Sequence, residues 1–202
     1  MKNLNFHSAI FLKSFLNIYD INIYSGIEVA CLGYSNTGKS TLINVLCDQK
    51  KLSRVSKSPG RTQLINFFQI HENFRIIDFP GYGYSKFSKN FSMIWIQKIK
   101  EYLKLRKIVV GVIIIVDINF FFKKIDLEIM NFLNKMNVKI IILLNKCDKI
   151  NYNLRYKKYI LAKKILSCLK IVASVQLFSS VKKIGVLELK NILNNLYIER
   201  YR

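Results

Sequence analysis

The chain has 202 residues, a length that fits one domain with a core of ordinary size. Its 33 Lys and Arg residues against 12 Asp and Glu residues give a formal net charge of +21 at pH 7. Because 51% of the residues are hydrophobic, the chain is not a disordered basic tail. The longest strongly apolar run, residues 108–116, is much shorter than the ~18 residues that a membrane-spanning helix needs, so no membrane span is predicted.

The positive charge has two explanations that the sequence leaves open. The chain contains 26 Lys, 30 Ile and 19 Asn residues but only four Ala and two Pro. This composition matches codons rich in A and T, so mutational bias could account for much of the excess of lysine. The same lysines could equally serve to contact a polyanion. The charge alone therefore assigns no function.

The cysteines and the N-terminus indicate the compartment. The four cysteines show no C-x-x-C spacing and the chain has only two histidines, so a zinc site is not expected. Lys13 interrupts the apolar stretch near the N-terminus, which therefore does not resemble a signal peptide. We expect a cytoplasmic protein with free thiols.

Short apolar runs alternate along the chain with longer amphipathic stretches. Strands are predicted at 27–33, 64–70, 74–79, 108–116, 139–144 and 173–178. Helices are predicted at 39–47, 92–105, 124–136, 154–169 and 186–196. Several of the strands are continuously apolar, as strands covered on both faces must be. The predicted fold is α/β: a doubly wound, mostly parallel six-stranded sheet with helices on both faces.

The first motif lies between a predicted strand and a predicted helix and matches G-x-x-x-x-G-K-[ST]. Its residues are Gly33, Tyr34, Ser35, Asn36, Thr37, Gly38, Lys39 and Ser40. Glycines let backbone N–H groups turn inward around a phosphate, and the helix N-terminus adds a favourable dipole. Lys39 would reach the β- and γ-phosphates, and the Ser40 hydroxyl would bind Mg²⁺. The alternative is a chance match in an ordinary loop, which the flanking strand and helix argue against.

The second motif closes another apolar strand and consists of Asp78, Phe79, Pro80 and Gly81. Asp78 would hold the Mg²⁺ through water, and the Gly81 N–H would detect the γ-phosphate. The alternative is an Asp-containing turn that caps a strand. Between the two motifs, Thr62 stands where a switch threonine would complete the Mg²⁺ coordination; its alternative is a threonine that starts a strand.

The third motif follows a third apolar strand and consists of Asn145, Lys146, Cys147 and Asp148, which reads N-K-x-D. Guanine offers two parallel donors, N1–H and the 2-amino group, and the Asp148 carboxylate accepts both, whereas adenine lacks this arrangement. Lys146 would pack along the base, and Asn145 would tie this loop to the first. Alone, the motif could equally be the N-cap of a helix. After the last strand, the backbone of Ser179 and Ser180 could reach guanine O6.

Together, the three motifs occur in order at the carboxyl ends of predicted strands, which is the edge where open α/β sheets bind ligands. We therefore expect one guanine-nucleotide site.

The sequence around these motifs resembles one family. Residues 54–68, RVSKSPGRTQLINFF, look like switch I of the EngB (YihA/YsxC) family of TRAFAC-class P-loop GTPases. Residues 78–84, DFPGYGY, are similar to its switch II, and residues 178–183, FSSVKK, to its guanine loop. Tyr34 departs from the family, which usually has Arg at that position.

The resemblance implies a Ras-like domain that binds GTP or GDP with Mg²⁺. It implies residues 1–25 as an N-terminal extension packed on the domain and 26–202 as the G domain. The implied metal ligands are Ser40 and Thr62. The implied nucleotide contacts, besides the residues of the three motifs, are Gly60, Arg61, Thr62, Gln63, Leu64, Phe178, Ser179 and Ser180.

The resemblance also implies a switch in assembly of the large ribosomal subunit, with a family association to cell division and septation. The expected partner is the 50S subunit or its rRNA and proteins. We expect a monomer that binds no DNA. Two alternatives are a nucleotide hydrolase without a ribosomal role and a GTPase attached to a membrane surface.

The expected catalytic residues are Lys39, Asn36, Thr62 and Gly81. Tyr82 stands where Ras-like enzymes place a water-orienting Gln, and no arginine finger is evident. Intrinsic hydrolysis is therefore expected at or below the order of 10⁻⁴ per second. Asn36 resembles the Asn that coordinates K⁺ in related GTPases, so K⁺ is a candidate cofactor that supplies the missing positive charge.

Overall fold

The computed structural model describes residues 3–53, 64–82, 89–136 and 138–201. The strands are β1 (Ile10–Phe15), β2 (Ile27–Gly33), β3 (Ile65–His71), β4 (Phe74–Asp78), β5 (Val109–Asp117), β6 (Lys139–Asn145) and β7 (Ser174–Leu177). The helices are α1 (Lys39–Leu46), α2 (Lys89–Leu105), α3 (Lys124–Leu133), α4 (Tyr152–Cys168) and α5 (Val186–Arg200).

The strands form one sheet in the order β1-β3-β4-β2-β5-β6-β7. The pairs β2–β4, β2–β5, β5–β6 and β6–β7 are parallel, while β1–β3 and β3–β4 are antiparallel. The predicted α/β, mostly parallel fold is therefore confirmed. The central strand is β2, and every residue of it is buried, as its apolar sequence predicted.

The predicted number of six strands is wrong, because the described residues form seven. The additional strand, β1, lies at the edge of the sheet and pairs with β3. Four of its six residues are exposed, and a bulge between Phe11 and Lys13 interrupts its register. An edge strand of this kind lacks the continuous apolar pattern on which the prediction depended.

Two hydrophobic layers cover the two faces of the sheet. One layer contains buried side chains of α1 and α5, such as Leu42 and Leu193, packed on Val29 and Ile141. The other layer contains buried side chains of α2, α3 and α4. Helices on both faces are the prediction for a doubly wound sheet, and they leave the strand ends free for a site.

The parallel register aligns the carboxyl ends of β2, β4, β5 and β6, three of which precede the motifs. Cys31 of β2 pairs with Asp78 of β4, and Asp117 of β5 pairs with Asn145 of β6. The loops after these strands therefore emerge at one edge of the sheet. No helix within the described ranges is long and apolar enough to cross a bilayer.

A buried charge cluster fixes the opposite end of the sheet. The Glu28 side chain is fully buried and accepts hydrogen bonds from Tyr102 Oη at 2.6 Å and Arg106 Nε at 2.9 Å. Arg75 Nε lies 3.6 Å from Glu28 Oε1, and its guanidinium also donates to the Ser25 carbonyl. The carboxylate is thus matched by two guanidinium groups, as a buried charge requires.

Candidate nucleotide-binding site

The first motif forms a tight loop between β2 and α1. Gly38 has φ of +104°, a conformation that L side chains rarely adopt. A Cβ at this position would lie 2.5 Å from Asn145 Nδ2, so the loop can approach the third motif only with glycine here. Asn36 also has positive φ, at +64°, which asparagine tolerates better than most residues.

Lys39 lies inside this loop and is only 8% exposed. Its Nζ donates to the carbonyl oxygens of Gly33 and Tyr34, each at 3.0 Å. Burial lowers the pKa of Lys39, and the nearby charge of Asp78 opposes that effect. The ammonium group is therefore held at the centre of the loop, where the first motif predicts phosphate oxygens.

Ser40 and Asp78 bring the first two motifs into contact. Ser40 Oγ donates to Asp78 Oδ2 at 3.3 Å, while the buried Asp78 Oδ1 has no hydrogen-bond partner among the described residues. Burial raises the pKa of Asp78 to about 6, against the lowering effect of Lys39. A buried carboxylate with an unpartnered oxygen, next to a hydroxyl, is a donor set that suits Mg²⁺. Ser40 would bind the ion directly and Asp78 through water.

The second motif also packs directly on the first. Ser35 N donates to Tyr82 O at 3.1 Å, and Tyr82 N donates to Gly33 O at 3.3 Å. A Cβ on Gly81 would lie 2.7 Å from the Ser35 Cα, so no larger residue fits there without a shift. Phe79 and Pro80 continue the chain to this contact and are both buried.

Tyr82 is buried, with 1% of its surface exposed, and sequence reasoning missed its partner. Its hydroxyl donates to Asp126 Oδ1 at 2.7 Å, and its ring meets that of Tyr34 edge-on with centroids 4.9 Å apart. Asp126 also caps α3, because its Oδ2 accepts from Lys123 N at 3.0 Å. The Tyr82 hydroxyl therefore already has a hydrogen-bond acceptor, the Asp126 carboxylate. No pattern in the sequence indicates that Tyr82 and Asp126, which are 44 positions apart, form a hydrogen bond.

The third motif contacts the first through two side chains. Asn145 Nδ2 donates to Thr37 O at 2.7 Å, which is the predicted tie between the loops. Lys146 Nζ donates to Asn36 O at 2.8 Å and forms an ion pair with Asp117 Oδ2, also at 2.8 Å. The two loops thus form one continuous surface.

Asp117 is a site residue that the motifs did not include. Burial disfavours its charge, but hydrogen bonds from Lys146 and Asn119 outweigh that effect and keep the pKa of Asp117 below its usual value. Its position directly at the end of a continuously apolar strand could have identified it. Asp117 is the last residue of β5, and this end of the strand lies at the same edge of the sheet as the three motifs.

The residues proposed to recognise the base lie together. Ser179 Oγ donates to Asp148 Oδ1 at 2.5 Å, and Cys147 N donates to Phe178 O at 3.1 Å. Ser180 Oγ and Asn145 Oδ1 are buried and have no hydrogen-bond partner in the part of the chain that the structure describes. Buried polar atoms are normally paired, so these two atoms suit a polar ligand.

One predicted group cannot be placed. Gly60, Arg61, Thr62 and Gln63 lie outside the described residues, so the roles of Thr62 in metal binding and catalysis stay predictions. Leu64 is described; it is 39% exposed and directly precedes β3.

The fold and the site define a class: a P-loop domain with an N-K-x-D loop beside its phosphate loop. A family model described as 50S ribosome-binding GTPase matches residues 28–146. The probable GTP-binding protein EngB of Buchnera aphidicola subsp. Acyrthosiphon pisum (strain Tuc7) is 44% identical over 201 residues, covering 100% of this chain and 98% of that protein. The chain belongs to the EngB family of P-loop GTPases.

Two solved structures show similar folds. A probable GTP-binding protein EngB superposes with a TM-score of 0.66 at 23% identity, covering 85% of this chain and 99% of that one. Era, solved with MgGDPNP and nucleotides 1506–1542 of 16S ribosomal RNA, superposes with a TM-score of 0.63 at 26% identity. That match covers 85% of this chain and 57% of Era.

Proposed function

We propose that this GTPase is a switch in assembly of the large ribosomal subunit and that it hydrolyses GTP slowly with Mg²⁺. The observation that carries the proposal is the direct contact between the phosphate loop and the N-K-x-D loop, through Asn145 and Lys146. This contact sets Asp148 at a fixed position relative to Lys39, as binding of one guanine nucleotide across both loops requires.

Each motif has one task in this proposal. Lys39 and the backbone N–H groups of the loop would bind the phosphates, and Ser40 with Asp78 would hold a Mg²⁺ ion, whose chemistry is to neutralise phosphate charge. Thr62 and Gly81 report the presence of the γ-phosphate. Asp148 accepts the guanine N1–H and 2-amino hydrogens.

Slow turnover follows from two features of the described residues. The Tyr82 hydroxyl donates to Asp126 and is not free to orient an attacking water. Arg75 and Arg106 are both engaged with Glu28 at the opposite end of the sheet. Since the described residues show neither a water-orienting group nor an arginine finger at the site, we expect a rate on the order of 10⁻⁴ per second or below.

The ribosomal role is supported by relatives. The matching family model is described as 50S ribosome-binding, and the related Era was solved with a segment of ribosomal RNA. The net charge of +21 suits a polyanionic partner. We further propose a monomer that acts in the cytoplasm; the association with cell division and septation stays a prediction.

Binding measurements test the nucleotide part. Fluorescent GTP and GDP should bind in the presence of Mg²⁺, and fluorescent ATP should not. Lys39→Ala should abolish phosphate binding, because it removes the charged donor of the loop, whereas Lys135→Ala should leave affinity unchanged. Equal affinity for GTP and ATP would contradict the assignment of Asp148.

Co-sedimentation tests the ribosomal part. The chain loaded with a GTP analogue should sediment with 50S particles, and the GDP form should do so less. Failure to sediment in either state would instead favour a nucleotide hydrolase without a ribosomal role. Flotation with anionic vesicles, in place of sedimentation with particles, would favour the membrane-surface alternative.

A further inference from the structure

A groove of about 610 Å³ lies between the edge strand β1 and the loop that follows α1. The strand contributes Ile10 and Phe11, and the loop contributes Gln49, Lys50, Lys51 and Leu52. None of these residues belongs to the three motifs. The groove is therefore separate from the nucleotide site described above.

The strand side of the groove presents an aromatic ring. Phe11 is 50% exposed although it lies in a strand of the sheet. The ring contacts buried Phe68 in a T-shaped arrangement, with centroids 5.8 Å apart. The contact holds the ring in place while half of its surface stays open to solvent.

The loop side of the groove presents two lysines. Lys50 and Lys51 are exposed, and no described acidic group forms an ion pair with either of them. The nearest acidic residue in sequence, Asp48, lies 3.2 Å from the Lys183 Nζ and is thus already matched. The groove consequently has uncompensated positive charge beside an open aromatic ring.

Hydrogen bonds hold the two sides together. Asn44 Nδ2 donates to Lys50 O at 3.3 Å and to Ser53 O at 2.9 Å, and Asn44 Oδ1 accepts from Ser53 N at 2.7 Å. Gln49 Nε2 bridges from the loop to Ala9 O at 2.8 Å, just before β1. The groove is therefore preformed, which lowers the entropic cost of binding.

We propose that this groove binds single-stranded RNA, with a base stacked on Phe11 and phosphates in contact with Lys50 and Lys51. A half-exposed aromatic ring beside two unmatched cations is the combination that sequence-tolerant single-strand binders use. An acidic peptide would match the lysines but would leave the flat ring without a stacking partner. The inference rests on the proposed ribosomal function and names the kind of contact made outside the nucleotide site.

The test uses the full chain with GDP and Mg²⁺ and an unstructured, labelled RNA of about 12 nucleotides. Phe11→Ala should weaken binding by at least about fivefold, because stacking is lost. Phe11→Trp should retain binding, and its added indole fluorescence should be quenched by the stacked base. Both variants should keep wild-type GDP affinity, and Phe11→Trp should also keep the wild-type melting temperature, which shows that the fold is intact.

Charge is tested with two matched double variants. Lys50→Ala with Lys51→Ala should weaken RNA binding and reduce the slope of log affinity against log salt by about 1.4, since two phosphate contacts are lost. Lys163→Ala with Lys164→Ala removes the same charge from exposed positions of α4, beside the opposite edge of the sheet, and should change neither quantity.

Three outcomes would overturn the inference: equal weakening by the two double variants, an unquenched Phe11→Trp, or unchanged RNA binding by variants that no longer sediment with 50S particles. The last would assign the groove to a protein. If RNA binding depends on the groove but the wild type sediments with no particle, the inference stands and the proposed function fails. If the wild type sediments with 50S particles but RNA binding does not depend on the groove, the proposed function stands and the inference fails.

Discussion

At the scale of single residues, Asp148 is the group on which base selection depends. Its carboxylate is oriented by Ser179 Oγ at 2.5 Å, and the adjoining Cys147 backbone is fixed by Phe178. A positioned carboxylate discriminates strongly, because a base without the matching donors leaves it desolvated and unpaired.

Asp148→Asn should lower the affinity for GTP by about 2–3 kcal/mol, roughly a hundredfold, because an amide cannot accept both guanine hydrogens. Xanthosine triphosphate carries an oxygen in place of the 2-amino group, so the amide N–H should bind it better than GTP. Titration of fluorescent forms of both nucleotides checks this exchange. Undiminished affinity of the variant for GTP would show that another group reads the base.

Asn36 is the residue on which the expected effect of K⁺ depends. Its backbone carbonyl accepts from Lys146, so the amide side chain can be removed without losing that contact. Because φ is +64°, glycine is a better replacement than alanine, which would add backbone strain to the loss of the amide.

We expect K⁺ to stimulate GTP turnover over Na⁺ by roughly tenfold or more, as a positioned charge near the phosphates would. Asn36→Gly should remove the difference between the salts while GDP affinity stays near the wild-type value. Single-turnover phosphate release in the two salts measures both effects. Equal wild-type rates in K⁺ and Na⁺ would rule out the cation.

At the scale of elements, the bond between Tyr82 and Asp126 joins the segment after β4 to the first turn of α3. Asp126 is 2% exposed, and burial raises the pKa of its carboxyl above the usual value despite the bonds from Lys123 and Tyr82. The charged form is thus tolerated only because both oxygens are paired.

Tyr82→Phe should destabilise the protein by about 1–3 kcal/mol near pH 7.5, because Asp126 Oδ1 loses its donor. In the variant, the pKa of Asp126 in the folded state lies still further above its value in the unfolded state. As the pH falls, Asp126 of the folded variant is therefore protonated at a higher pH than Asp126 of the folded wild type, and protonation removes the cost of the unpaired charge. The stability loss should therefore shrink towards pH 4.5. Urea unfolding at both pH values measures it, with Tyr34→Phe as the control. A loss that is independent of pH would contradict this account.

The sequence predicted the strands β2 to β7 and all five helices because their patterns are set locally or by burial. It misplaced some ends: α4 begins at Tyr152, two residues before the predicted start, because the Asn151 side chain accepts from Leu154 N at 2.9 Å. The motifs located the site, since phosphate loops need particular residue types. The ion pair of Lys146 with Asp117 was not predictable, because it depends on tertiary contacts alone.

At the scale of the whole molecule, β1 closes one edge of the sheet. It covers β3 by antiparallel pairing, and Phe15 packs against buried Phe67 with centroids 5.2 Å apart. The N-terminal residues are also tied to the far end of the chain, because Leu4 N donates to Asn194 Oδ1 at 2.8 Å. The strand therefore stabilises the domain, although its outer surface is exposed.

Deletion of residues 1–16 should lower the melting temperature by on the order of 10 °C, because it exposes the apolar edge of β3. Exposed strand edges pair with other chains, so the shortened protein should also self-associate. Thermal unfolding and light scattering measure the two effects. Leu12→Ser, at an exposed position of the same strand, should neither lower the melting temperature nor cause self-association. A shortened chain that stays monomeric with the original melting temperature would contradict a stabilising role.

The contacts that build the nucleotide site have a consequence for the order of folding. Asn145 and Thr37 are 108 residues apart in sequence, and Lys146 and Asn36 are 110 apart. Closing loops of this length is slow, so we expect the contacts to form only after β2 and β6, the two neighbours of β5, have both joined it. GDP added during refolding should thus leave the early rates unchanged and capture only chains whose sheet is already assembled.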